Sequence, residues 1–217
     1  MELATMLGML GEGFIVSLQI FCLTLLGSLP LGLLVAFGRM SRIKPLSIAV
    51  QIYISVMRGT PLMLQLMVVY YLPYFGFGIG IGDSYRFVAT IIAFVINYAA
   101  YFAEIYRSGI QSIPRGQYEA AGVLGYSRAQ TFFSIIFPQV VKRILPAVTN
   151  EVITLVKDTS LSFVLSVPEM FTTAKAIAAA QKSMVAFAVA GVFYYVFNAV
   201  VAFAMNLVEK KMDYYHE

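Results

Sequence analysis

Charged residues are scarce: they make up 12% of the 217 residues, against about 25% in a soluble domain. With 60% hydrophobic residues and a mean hydropathy of +0.81, that scarcity excludes a water-soluble globular protein and leaves an integral membrane protein. Cysteine is almost missing. The one present, Cys22, lies in an apolar run, which excludes a disulfide framework and a thiolate metal site. The only histidine, His216, sits in a polar tail and reads as solvated. No Gly-x4-Gly-Lys-Ser/Thr phosphate loop occurs, so the chain is not expected to bind or hydrolyse ATP. The glycines at 76, 78, 80 and 82 have no lysine after them and read as a flexible turn. Basic residues are missing from positions 1–13, which carry Glu2 and Glu12. Without the positive start of a cleavable signal, the first apolar segment is expected to stay as a membrane helix. A net charge of +4 is too small to point to nucleic acid.

What is present is a series of apolar segments close to the ~20 residues that cross a bilayer. They lie at 14–37, 62–77, 87–106, 144–167 and 184–208, and the second has a helical lead-in at 46–57, before Arg58-Gly59-Thr60-Pro61. The expected fold is therefore all-α and integral to the membrane, with about five transmembrane helices in one domain over 1–217. Ten basic residues fall on one side of this pattern: Arg39, Arg42, Lys44, Arg107, Arg115, Arg128, Lys142, Arg143, Lys210 and Lys211. Three fall on the other: Arg86, Lys175 and Lys182. By the positive-inside rule the N-terminus is outside and the C-terminus cytoplasmic.

One polar stretch stands out, in the cytoplasmic loop at 115–138. Ala120, Ala121 and Gly122 give a nearly bare backbone surface that another protein could approach, or the stretch is an ordinary loop helix. Gly125 can take the left-handed conformation that ends one short helix, and Ser127 with Gln130 reads as a capping box that opens the next.

Polar residues inside the expected spans face a cavity or a partner, because a charge at the bilayer centre costs about 2.5–3.5 kcal/mol on insertion scales. Glu151 and Asp158 are seven apart and share a helix face; Asn150 and Lys157 form an adjacent stripe. Asn97 and Glu104 repeat the spacing, with Tyr101 between them. Such stripes could line a path for a zwitterionic solute, carboxylates facing its ammonium and amide or basic groups its carboxylate. Glu151 reads as a substrate contact or as half of a buried ion pair. Lys157 and Asp158, nearer the outer end, read as gating or packing residues. Glu104 and Arg107 make an i,i+3 pair of structural kind. Arg58 reads as snorkelling to the cytoplasmic surface, and Pro61 as kinking or starting the helix after it. Tyr53, Tyr70, Tyr71, Tyr194 and Tyr195 fit interfacial belts or packing. At 167–180, Pro168 in a first helical turn and an alanine run predict a short outer helix.

Glu119-Ala120-Ala121, Gly125, Ile135 and Pro138 resemble the EAA motif of permease subunits of binding-protein-dependent ABC importers, with Phe137 in place of the usual leucine. Gly116-Gln117-Tyr118, Arg58-Gly59-Thr60-Pro61-Leu62, Ala103-Glu104-Ile105 with Arg107, and Asn150-Glu151 leading to Lys157-Asp158-Thr159-Ser160-Leu161 resemble its polar amino-acid branch. The resemblance runs from about Phe14 to Lys211. It implies a type I ABC importer-like permease in a bacterial cytoplasmic (inner) membrane. ATP and Mg would be bound by a separate cytosolic ABC ATPase dimer, with no cofactor in this chain. The segment from Arg115 through Gly116, Gln117, Tyr118, Glu119, Ala120, Ala121 and Gly122 to Gly125 would be its coupling helix. The other implied partners are a second permease subunit, identical or related, an extracytoplasmic amino-acid-binding protein docking on the outer side, and an amino-acid substrate. The implied substrate contacts are Glu151, Asn97, Tyr101, Asn150, Asp158 and Lys157. A gradient-driven secondary transporter of small zwitterionic solutes is the alternative, but such folds often show paired broken helices in two matching halves, and no motif here has a second copy. A membrane anchor or assembly factor is a third, against which the polar stripes argue.

Overall fold

The structure, a computed structural model, describes residues 2–212; His216 lies outside them. All described secondary structure is helical. Helix α1 (Leu3–Arg39) has 37 residues, about 55 Å at 1.5 Å per residue, far more than the ~30 Å hydrocarbon core. Its first turns overshoot the expected span and place Met6 and Leu10 against Met170, Ala174 and Ile177 of α8 (Met170–Gln181).

The next two helices, α2 (Lys44–Gly59) and α3 (Leu62–Phe77), meet at a bend of 114°. Pro61 is the cause. It pushes Thr60 into extended backbone (φ −122°, ψ 149°), which ends α2, and it then stands as the residue that opens α3. Helix α4 (Tyr85–Gln111) is the centre of the bundle. Ala89, Ala93, Phe94, Ala99, Ala100, Phe102 and Ala103 on it are fully buried, and its small residues let Ala36 of α1 and Ile54 of α2 pack close.

After α5 (Arg115–Val123), a single helical run extends over Arg128–Leu165. It comprises α6 (Arg128–Gln130), a π-helical turn at Thr131–Ile136, α7 (Phe137–Asp158) and a 3-10 turn at Thr159–Leu165. The helix around the expected fourth span therefore begins well before 144. Pro138 accounts for the wide turn: it has no N–H to give Ser134, and its ring crowds that carbonyl in an α-helix. The backbone instead bonds Phe137 N–H to the Phe132 carbonyl, five residues back.

The last helix is α9 (Val185–Met212). Helices α1, α4, the 128–165 run and α9 are each long and apolar enough to cross a membrane, and the bent pair α2–α3 brings the number to as many as five. The outer segment differs from expectation in one detail: α8 starts at Met170, capped by Glu169, so Pro168 precedes the helix instead of lying in its first turn.

Candidate functional site: a cavity between α4 and α7

A cavity of about 450 Å³ lies between α4 and α7, walled by Tyr101, Glu104 and Arg107 from α4, Arg143 and Glu151 from α7, and Arg58 from the end of α2. The helices can lie this close because Gly109 of α4 has no side chain; a Cβ there would run into the side chain of Ile144.

Polar groups at the α5 end of the cavity are paired. Arg107 Nη2 donates to Glu104 Oε2 at 2.7 Å, and its Nη1 donates to Gln111 Oε1 at 2.7 Å. Arg143 Nη1 donates to the Ser112 carbonyl at 2.6 Å. Two further charges on the wall, Glu151 and the exposed Arg58, reverse the pattern. Glu151, partly buried, makes no hydrogen bond or ion pair with any described residue. Nor does Arg58, whose guanidinium carbon stands 5.3 Å from the centroid of the Tyr101 ring.

One turn further along, Tyr98 Oη donates to Asp158 Oδ2 at 2.7 Å, linking α4 to the end of α7. Asp158 is therefore spent on Tyr98 and does not line the cavity, although it shares a face with Glu151. Asn97 is buried at the α2–α3 bend. Its Nδ2 donates to the Met57 carbonyl at 3.1 Å and to Gln65 Oε1 at 2.9 Å, while Gln65 Nε2 donates to the Met57 carbonyl, the Thr60 carbonyl and Thr60 Oγ1. The two amides satisfy carbonyls that the end of α2 leaves free. Asn150 and Lys157 are exposed, with Thr154, as a polar stripe away from the cavity. Thus Glu151 and Tyr101 are the sequence-predicted contacts that the fold brings together, and Asn97, Asn150, Lys157 and Asp158 stand elsewhere. Arg58 was missed as a wall residue. Its signal was a cation just before a proline between two apolar segments.

The 115–138 segment is built as its residue types dictate. Arg115, Gly116, Gln117, Tyr118, Glu119, Ala120 and Gly122 are exposed, and Ala121 alone in α5 is buried. Gly125 has φ +78°, where a side chain is strained. Tyr126 N–H bonds the Ala121 carbonyl at 3.0 Å and Gly125 N–H the Gly122 carbonyl at 3.1 Å, a Schellman ending. The capping box follows: Gln130 N–H to Ser127 Oγ at 3.3 Å and Ser127 N–H to Gln130 Oε1 at 2.9 Å. Val123, Leu124, Tyr126 and Phe133 leave an exposed apolar tip, with Val123 89% exposed.

At the other end of the bundle, Glu169 is fully buried and saturated with donors. It accepts from Phe171 N–H and Thr172 N–H at 2.7 Å, Thr172 Oγ1 at 2.8 Å, Tyr194 Oη at 3.1 Å and Ser17 Oγ at 3.4 Å. This carboxylate ties α1, α8 and α9 together, and Tyr194 is one of its donors, in line with the packing reading of that tyrosine.

No group of three or more His, Cys, Asp or Glu that could hold a metal ion occurs among the described residues. Residues 28–214 match the family described as binding-protein-dependent transport system inner membrane component. The chain is 32% identical over 208 residues to the L-cystine transport system permease protein TcyB of Bacillus subtilis, covering 95% of this chain and 87% of that protein. It is 36% identical over 204 residues to the arginine transport system permease protein ArtQ of the same organism, covering 93% and 91%. Among solved structures, a chain of an amino acid ABC transporter with histidines superposes with a TM-score of 0.86 at 32% identity, covering 97% of this chain and 99% of that one. The MetNI methionine ABC transporter in an inward-facing form gives 0.71 at 17% identity, covering 98% and 99%, a likeness of fold alone. Neither the family match nor these relatives support the gradient-driven alternative. The fold is that of a type I ABC importer permease, and the chain belongs to the family of binding-protein-dependent transport inner membrane components, a membrane transport subunit and not an enzyme.

Proposed function

We propose that this chain is the permease subunit of an ATP-driven importer for polar amino acids, forming the translocation path by alternating access. The observation that carries the reading is the cavity between α4 and α7, whose wall holds a partly buried carboxylate with no partner among the described residues. An acceptor-only group in a low-dielectric wall suits the ammonium that every amino acid carries. Glu151 takes that ammonium and Tyr101 the adjacent surface. Asp158 and Tyr98 close the path on the outer side, and Asn97 braces the bend.

Power comes from a separate ABC ATPase dimer, which binds ATP and Mg. The exposed α5 with its apolar tip docks in a groove on that subunit, through residues 115–125 around Glu119. ATP closes the ATPase pair, and the differential affinity of the closed pair for one arrangement of the spans moves the permease between inward- and outward-open states. The exposed stripe Asn150, Thr154 and Lys157 on α7 meets a second permease subunit, identical or related, in the bilayer. A solute-loaded binding protein docks on the face that carries α8. The charge asymmetry of the loops supports an N-terminus outside and a C-terminus in the cytoplasm.

Proteoliposomes containing this chain, the ATPase, the partner permease where distinct and the binding protein test the reading. Uptake of a panel of L-amino acids, including the cystine and arginine for which the two relatives are named, is expected to require ATP in the compartment facing α5. Uptake that follows an imposed ion gradient and ignores ATP would overturn it.

A further inference from the structure

We infer that Arg58 is the carboxylate-recognising pole of the translocation site, paired across the cavity with Glu151 as its ammonium pole, so that the site selects α-amino acids over amines lacking a carboxylate. The inference rests on the cavity being the amino-acid path, and it adds a residue whose sequence reading was a cation reaching for the membrane surface.

The backbone is what delivers Arg58. It is the penultimate residue of α2, one step before the break that Pro61 imposes. A helix end in the bundle normally leaves carbonyls wanting partners. Here Gln65 and Asn97 reach the Met57 carbonyl, Gln65 reaches Thr60, and Thr60 Oγ1 donates to the Val56 carbonyl at 2.8 Å. With residues 56–60 held on both sides of it, Arg58 has a fixed root. From that root the side chain, still exposed, ends over the Tyr101 ring at 5.3 Å. The aromatic face holds a guanidinium by cation–π attraction and leaves the edge of its fork free.

Every other arginine on the cavity wall is occupied. Arg107 gives its N–H groups to Glu104 and Gln111, and Arg143 gives one to the Ser112 carbonyl. Arg58 alone among these wall arginines makes no hydrogen bond or ion pair with a described residue, and five donors in a planar fork match a carboxylate in bidentate fashion. Glu151 is in the same wall with the same unspent capacity, yet the two do not pair with each other. A cation and an anion that share a cavity without touching leave a gap with one charge at each edge, and an α-amino acid bears the two complementary charges on a single carbon.

The test compares the wild-type transporter with Arg58→Gln and Arg58→Lys. Arginine and its α-carboxamide, argininamide, are used first, followed by the rest of the panel in the same two forms. In the wild type, the free amino acid is expected to be taken up, and to raise the thermal stability of the complex, more than the carboxamide. Arg58→Gln is expected to lose about tenfold or more of uptake, the worth of a hydrogen bond to a charged group, and to stabilise equally with acid and amide. Arg58→Lys, a charge without the fork, falls between. The thermal readout applies even where uptake of a variant vanishes. Arg58→Gln that still prefers the free acid over the amide overturns the inference while leaving the proposed function standing. Arg58→Gln that no longer assembles with its partners makes the residue a brace and also overturns it. A wild-type complex that takes up no amino acid overturns the proposed function and this inference with it.

Discussion

Two glutamates lie within this helical bundle on opposite terms. Glu169, at the start of α8, is fully buried and accepts hydrogen bonds from α8, α9 and α1. Glu151, in the wall of the cavity, is partly buried and bonds no described residue. Both are carboxylates taken from water, and the physical chemistry of that transfer is the same for each. The difference is where the compensation comes from. Glu169 receives it from the chain itself and so fixes helices in place; Glu151 receives no hydrogen bond from any described residue. The end of the bundle that carries α8 is saturated with internal hydrogen bonds, whereas the cavity wall is not. Burial of a charged group inside a membrane protein is therefore not in itself a sign of function; the count of donors around it is what separates a rivet from a site.

The contrast breaks most visibly at Glu169. Glu169→Ala strands donors at Phe171, Thr172 and Tyr194, each at a cost of about 1–3 kcal/mol. A large fall in the midpoint of thermal unfolding, followed by size exclusion of the purified protein, is expected; an unchanged midpoint would make the two glutamates equivalent. Glu151→Gln should do the reverse. Uptake is expected to drop roughly tenfold or more, about 1.4 kcal/mol, while thermal stability and assembly hold. If the complex falls apart instead, Glu151 is a structural residue. Gly125→Leu probes the exposed α5 segment. Forcing a side chain into φ +78° costs about 1–2 kcal/mol and unravels the end of α5, so co-purification with the ATPase should weaken without loss of the bundle. The smallest effect is expected from Asn97→Leu, which removes one amide from the α2–α3 bend. A loss near 1 kcal/mol corresponds to a fivefold rise in the half-saturating substrate concentration, measured by uptake at graded concentrations.

Much of the fold was legible because it depends on local chemistry. Hydropathy marked the spans, the glycine at 125 announced the left-handed stop, and Ser127 with Gln130 spelled the box that opens the next helix. The site was legible only in part. Spacing puts Glu151 and Asp158 on one face, and the structure agrees, but spacing is silent about Tyr98, which reaches across from α4 and occupies Asp158. Asn97 looked like a path residue by the same rule. Its amide is claimed by Gln65 and Met57, from elements 32 and 40 residues away in sequence. Arg58 was not read as a wall residue because a one-dimensional pattern shows a proline but not the 114° bend between α2 and α3 or the cavity beside it. Glu169 is harder still, since glutamate is not among the favoured helix-capping residues and its partners come from three helices.

The wide turn at Thr131–Ile136 sets the compass of everything after it. An α-helix advances about 100° per residue, so a helical wheel drawn from α6 straight through to α7 would aim every later side chain in the wrong direction. The bearing of Glu151 toward α4 follows from the phase this turn passes to α7 and from the packing of Ile144 against Gly109, and not from any contact that Glu151 makes. Adding or removing one residue there would rotate the whole wall of the cavity while leaving its sequence untouched.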